Sequence, residues 1–100
     1  MRVEILITEG CPNAGPAEAV ARAALRELGI VDAELRVVEM REPADYARCA
    51  FGGSPTVLVN GSDVIPDTVR VHEPACRVYP SSDGLRGVPS LAEVVAALRG

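Results

Sequence analysis

An apolar strand, a one-sided helix and a second, alternating strand follow one another directly in the first part of this chain, and that order restricts its fold more than any other feature. Residues 3–8 are a β-branched apolar run broken by Glu4, which reads as a strand buried on both faces, and the run stops at Glu9-Gly10. Ala17, Val20, Ala21, Ala24, Leu25 and Leu28 then recur at helical spacing, with Glu18, Arg22 and Arg26 on the other side and Gly29 as the stop. Residues 33–40 alternate polar and apolar with a period near two. Strand, helix, strand is a βαβ unit, with parallel strands and an expected right-handed crossover, so the chain belongs to the α/β class.

The second half adds an antiparallel part. A shorter helix is expected over about 43–50, ending before Phe51-Gly52-Gly53. Thr56-Val57-Leu58-Val59, Asn60-Gly61 and Val64-Ile65 read as a β-hairpin, because Asn-Gly accepts the positive φ angles of a tight hairpin turn. Ser90-Leu91-Ala92-Glu93 is a capping box, and Leu91, Val94, Val95 and Leu98 give the last helix one apolar stripe. Between hairpin and helix, residues 66–88 hold Pro66, Pro74, Pro80, Gly84 and Gly87, a connection long enough to suggest function; inside it, Cys76-Arg77-Val78-Tyr79 is a candidate short strand.

Composition removes several functions. With 100 residues, one domain spanning 1–100 is expected, and 48% hydrophobic against 24% charged residues is ordinary for a folded chain. The net charge is −4, every basic residue is arginine and only three residues are aromatic, so neither a phosphate-neutralising stripe nor a base-stacking platform can be assembled and nucleic-acid binding is not expected. No apolar run approaches a membrane span, and Met1-Arg2-Val3-Glu4-Ile5-Leu6-Ile7 enters structure without a charged leader, from which a cytoplasmic protein without membrane contact is expected. Cys11, Cys49 and Cys76 match no zinc spacing, and in a reducing compartment they rest as thiols; His72, alone in a loop with Arg70 and Glu73, is no metal site. Phe51-Gly52-Gly53 lacks the lysine and the strand-to-helix setting of a phosphate loop, and Glu39, Glu42 and Asp45 read as a solvated face.

Cys11-Pro12 just past the first strand and Gly53-Ser54-Pro55-Thr56 just before the third complete the picture. With the order βαβ, α, β-hairpin, α, these marks resemble the thioredoxin/glutaredoxin superfamily, over roughly residues 2–65 and 88–99, and in particular small bacterial thioredoxin-like proteins that open with a strand and Cys-Pro-Asn. The long insert at 66–88 departs from the minimal fold. The resemblance implies thiol-disulfide exchange with Cys11 as nucleophile. It also implies a cis peptide before Pro55 and a substrate groove formed by Pro12, Ser54, Pro55 and Thr56, with the Ser54 backbone left open to an extended substrate strand. The expected partner is a disulfide-bearing protein or a low-molecular-weight thiol, and no cofactor or resident metal is expected.

Cys11-Pro12-Asn13-Ala14 carries alanine where a dithiol site has its second cysteine, so a mixed disulfide at Cys11 needs another exit: an external thiol, Cys76 or Cys49. Cys49 shares a helical register with Tyr46 and Ala50, which favours packing; Cys76, in the irregular insert, is the sharper candidate. A thiol beside a helix N-terminus is held as thiolate by unpaired N–H groups and the helix dipole. Pro16 argues that the helix begins with Pro16 itself at its first position, leaving Cys11 in a loop above the helix end and only moderately activated. Two other functions fit the same residues: a redox-inactive binding module using the groove beside Ser54-Pro55, and soft-metal handling of the mercury or arsenic type by thiolates such as Cys11 and Cys76.

Overall fold

The computed structural model describes residues 1–100. Strand β1 (Arg2–Thr8) pairs parallel with β2 (Glu34–Met40) and antiparallel with β3 (Thr56–Val59), and β3 turns back into β4 (Ser62–Asp63), giving a mixed sheet of order β2-β1-β3-β4. Helix α1 (Ala14–Glu27) makes the crossover, α2 (Pro43–Arg48) follows β2, and α3 (Leu91–Arg99) closes the chain. No helix is long and apolar enough to cross a membrane.

Alternation in the central strand sorts two cores. Val3, Ile5 and Ile7 of β1 point to the face covered by α1 and α3, where they meet Ala17, Ala21, Ala24, Val57, Val94 and Leu98. Leu6 points to the other face and packs with Met40, Tyr46, Phe51 and Leu58. Burial of β1 on both faces follows, as its apolar run requires; Glu4, the one charged residue inside it, is paired with Arg2 at 3.2 Å. Alanines along α1 let that helix lie close to the sheet. Tyr46 and Phe51 meet edge-on with ring centroids 5.3 Å apart, and burial raises the Tyr46 phenol above its ordinary range.

Three local features depart from the sequence reading. Helix α1 begins two residues before Pro16, with Asn13 as its N-cap, and the first intrahelical bond is donated by the Ala17 N–H to the Asn13 carbonyl at 2.9 Å. Proline is tolerated there because the first-turn N–H groups have no intrahelical acceptor in any case. The hairpin strand is Ser62–Asp63 and not 64–65: Asn60 (φ 50°) and Gly61 (φ 88°) form a two-residue turn, which places Ser62 directly opposite Val59. Helix α2 stops at Arg48, and Cys49 lies just past it in extended backbone, half-buried against the Leu6–Phe51 core.

In place of the candidate strand Cys76–Tyr79, the insert has an isolated bridge at Cys76 and a second hairpin, β5 (Tyr79–Ser81) with β6 (Gly84–Arg86). Its two-residue loop, Ser82-Asp83, ends on Gly84 at φ +109°, a conformation an L side chain rarely adopts. The start of the last helix matches its capping box: the Ser90 hydroxyl accepts from the Glu93 N–H at 3.1 Å, and the Glu93 carboxylate accepts from the Ser90 N–H at 2.9 Å.

Candidate functional site

Cys11 lies in the turn between β1 and α1. Its N–H donates to the Thr8 carbonyl at 3.2 Å and its own carbonyl accepts from the Ala14 N–H at 3.3 Å, so two consecutive turns carry the chain from strand to helix. Gly10, at φ +73°, occupies the third position of the first turn, where a type II turn needs a residue that accepts positive φ. Cys11 is half-buried, packed against the core beneath α1, and Pro12 beside it is exposed. The thiol stands two residues outside the N-cap, so it lies beyond the first turn of the helix, where the dipole acts most strongly.

Facing this turn is the loop 51–56. The Ser54-Pro55 peptide is cis. The antiparallel register of β1 and β3, which pairs Leu6 with Thr56, would bring Thr8 opposite Ser54, and the ladder is completed there by a side chain: the Thr8 N–H donates to Ser54 Oγ at 3.0 Å. Thr56 ties the loop from inside, its hydroxyl donating to the Gly53 carbonyl at 2.6 Å and accepting from the Gly52 N–H at 3.0 Å. Sequence reasoning assigned Ser54, Pro55 and Thr56 to an open groove; all three are buried, and of the four groove residues only Pro12 faces solvent.

What covers them is the insert. The Ser54 N–H donates to the Ala75 carbonyl at 2.8 Å and the Ser54 carbonyl accepts from the Arg77 N–H at 3.0 Å, which makes Cys76 the parallel partner of Ser54. The expectation that the Ser54 backbone stands open is therefore corrected: a segment of the same chain occupies it. At the start of the loop, the Val71 N–H donates to the Phe51 carbonyl at 2.7 Å, so the insert touches the loop at both Phe51 and Ser54.

Arg77 anchors this segment. Its guanidinium reaches the Asp63 carboxylate at 2.8 and 3.2 Å, Thr68 Oγ1 at 2.8 Å and Thr56 Oγ1 at 3.3 Å, and stacks over the Tyr79 ring at 4.6 Å. The pair is nearly dry, with Arg77 and Asp63 side chains 9% and 12% exposed. A planar fork with five donors satisfies several acceptors at once, which a lysine cannot do. Tyr79 adds a second tie, donating its hydroxyl to the Pro55 carbonyl, and burial pushes its phenol well above the ordinary range. Glycine is required where the strands meet: a Cβ on Gly53, at φ +109°, would sit 2.8 Å from Arg77 Cβ.

The structure thus brings Cys11 and Cys76 to the same end of the sheet, linked through Thr8 and Ser54, and leaves Cys49 on the opposite core. All three cysteines are thiols, and Cys76 is the exposed one. Arg77, Tyr79 and Asp63 were missed as site residues. The signal for Arg77 was available in principle, as a cation flanked by apolar residues in a stretch otherwise reading as strand, but its partners Asp63 and Thr68 lie in separate segments. A depression of about 180 Å³ between α1 and β2, floored by Leu25, Ile30 and Leu35, and another beside Arg70–Glu73 both lie away from Cys11. Comparison with family models, curated proteins and solved structures gives no match.

Proposed function

We propose that this chain is a thioredoxin-like thiol-disulfide exchange protein in which Cys11 is the nucleophile and Cys76 the resolving thiol. The observation that carries the reading is the Ser54–Cys76 bridge, which holds a second cysteine beside the cis-proline loop next to the Cys11 turn. The Ser54 hydroxyl accepts from the Thr8 N–H, three residues from Cys11, so the bridge and the Cys11 turn lie at the same end of the sheet. Support for the fold assignment comes from the sheet order β2-β1-β3-β4, with parallel and antiparallel pairing on either side of β1, and from the cysteine turn that follows β1.

In this reading the Cys11 thiolate attacks one sulfur of a disulfide RSSR, forming a Cys11–SR bond and expelling RS⁻. The Cys76 thiolate then attacks Cys11 Sγ, forming a Cys11–Cys76 disulfide and releasing the second RS⁻. RSSR gains two electrons and the protein dithiol loses them; two equivalents of an external thiol restore the dithiol. Cys11 is only half-buried, which leaves part of its surface open to an incoming disulfide, and Cys76 is exposed. The cytoplasm, where thiols stay reduced, is the compartment that fits such a cycle.

Peptide-level thiol mapping after mild oxidation tests this. The expected result is a reversible Cys11–Cys76 disulfide, with exchange activity abolished in Cys11→Ser and arrested at the mixed disulfide in Cys76→Ser. Three unpaired thiols, with Cys11 alkylated no faster than free cysteine, would overturn it. A second reading from the same two cysteines is a two-coordinate site for a soft cation. That reading predicts tight mercuric-ion binding lost in either single variant.

A further inference from the structure

Resting on the exchange reading above, we infer that this site acts on small disulfides and low-molecular-weight thiols and excludes polypeptide disulfides, because residues 75–77 are a resident strand on the backbone edge where an extended peptide would dock. A polypeptide gains affinity at such a site by adding main-chain hydrogen bonds to unpaired N–H and C=O groups. At Ser54 both groups are already used, by Ala75 at 2.8 Å and Arg77 at 3.0 Å, and Ser54 itself is 3% exposed.

A docking peptide would therefore have to replace the resident strand, and the strand is fixed from beneath. Lifting residues 75–77 pulls Arg77 from Asp63, Thr68 and Thr56 and leaves a nearly buried carboxylate unpaired. It also exposes the Pro55 carbonyl, which Tyr79 satisfies from the same segment. The sequence is adapted to this closure: Gly53 lacks the Cβ that would strike Arg77, and a Cβ on Gly52 would stand 2.5 Å from Thr68 Cγ2. A small disulfide needs none of that edge. It approaches Cys11 from the side of exposed Pro12 and requires only line-of-attack access to the sulfur.

The chemistry is the two-step exchange already balanced, with RSSR a low-molecular-weight disulfide and a low-molecular-weight thiol as the reductant that restores Cys11 and Cys76. The experiment compares the rates at which the reduced full-length Cys76→Ser protein, in which the adduct is not resolved, forms Cys11 adducts with 2-hydroxyethyl disulfide and with a short glycine-serine peptide carrying one cysteine as its mixed disulfide with 2-mercaptoethanol. Adducts are identified by mass, and each rate is divided by that of free cysteine with the same reagent. The small disulfide is expected to exceed peptide transfer by at least about tenfold. Hydrogen exchange at the Ser54 and Arg77 amides is expected to be slow, and Thr68→Val, which removes one acceptor of Arg77, is expected to raise peptide transfer several-fold with the small-disulfide rate unchanged. Equal normalised rates with Cys11 still the modified residue, or fast exchange at both amides in the wild-type chain, would overturn the exclusion and leave the exchange reading standing. Rates no faster than free cysteine with both reagents would overturn the exchange reading, and the exclusion with it.

Discussion

The two segments that meet at Ser54 are held in place by opposite means. The Cys11 turn is fixed by local backbone bonds, a glycine at positive φ and apolar packing under α1. The Cys76 segment forms no regular element at Cys76, and it is fixed by one arginine in a nearly dry cluster of oxygens and by one buried phenol. Local backbone bonds make the first segment depend less on distant partners than the second. The second depends on Asp63, Thr68 and Pro55, which come from three other stretches, so it fails as a unit if one partner goes. Polar clusters of this kind cost little extra when complete and a great deal when one member is removed.

The largest expected effect comes from breaking that cluster. Asp63→Ala removes the counter-charge of a nearly buried Arg77 and is expected to cost about 3–5 kcal/mol in denaturant unfolding. The exposed helical pair Glu18–Arg22 provides the contrast, with Glu18→Gln expected to cost about 0.3–0.5 kcal/mol. Similar costs for the two would mean that the insert is held by something other than Arg77.

Tyr79→Phe comes next. It leaves the Pro55 carbonyl without its donor and is expected to cost about 1–3 kcal/mol. It also has a pH signature. Burial holds the Tyr79 phenol protonated in the folded protein, while in the unfolded chain it ionises near the ordinary value of about 10. The contribution is complete below that value and is lost as pH rises above it, toward the raised folded value. Stability of the parent chain should therefore fall above about pH 10, and the fall should be shallower in Tyr79→Phe, with a remainder from Tyr46, whose phenol is also raised by burial. An unchanged alkaline slope would remove Tyr79 from the account.

Of the substitutions within the two segments, the smallest effect belongs to the Cys11 turn. Gly10→Ala meets no neighbouring atom within 4 Å, so its cost is only that of an L residue at φ +73°, about 1–2 kcal/mol. Because the turn is local, hydrogen exchange at Ser54 and Arg77 should stay as slow as in the parent chain. Faster exchange there would show that the two segments are coupled, against the comparison drawn above.

Much of the scaffold was legible because its signals are short in range. The apolar run of residues 3–8, the alanine stripe of α1, the Asn60-Gly61 turn and the Ser90–Glu93 cap each follow from neighbours within a few residues, and each appears in the structure. The boundaries shifted where a local rule had two solutions. Pro16 is acceptable at any position in the first turn, and the choice fell on a start at Ala14. The β5–β6 hairpin escaped because its strands have three residues each and one contains Pro80, too short and too interrupted for a period to show.

The sequence by itself determined the α/β class, the placement of a cysteine in the turn after β1 and a proline loop ahead of β3. Those depend on periodicity, turn chemistry and chain order, all of which act between near neighbours. Only the tertiary structure decided that the insert returns along residues 51–54, that Cys76 lies against Ser54 and Cys49 does not, and that the Ser54 edge is filled. These outcomes rest on Arg77 finding Asp63 and Tyr79 finding Pro55 across 14 and 24 residues of chain. A side chain that satisfies partners in several distant segments leaves no periodic trace in any of them, and it acquires its meaning only when the fold brings them together.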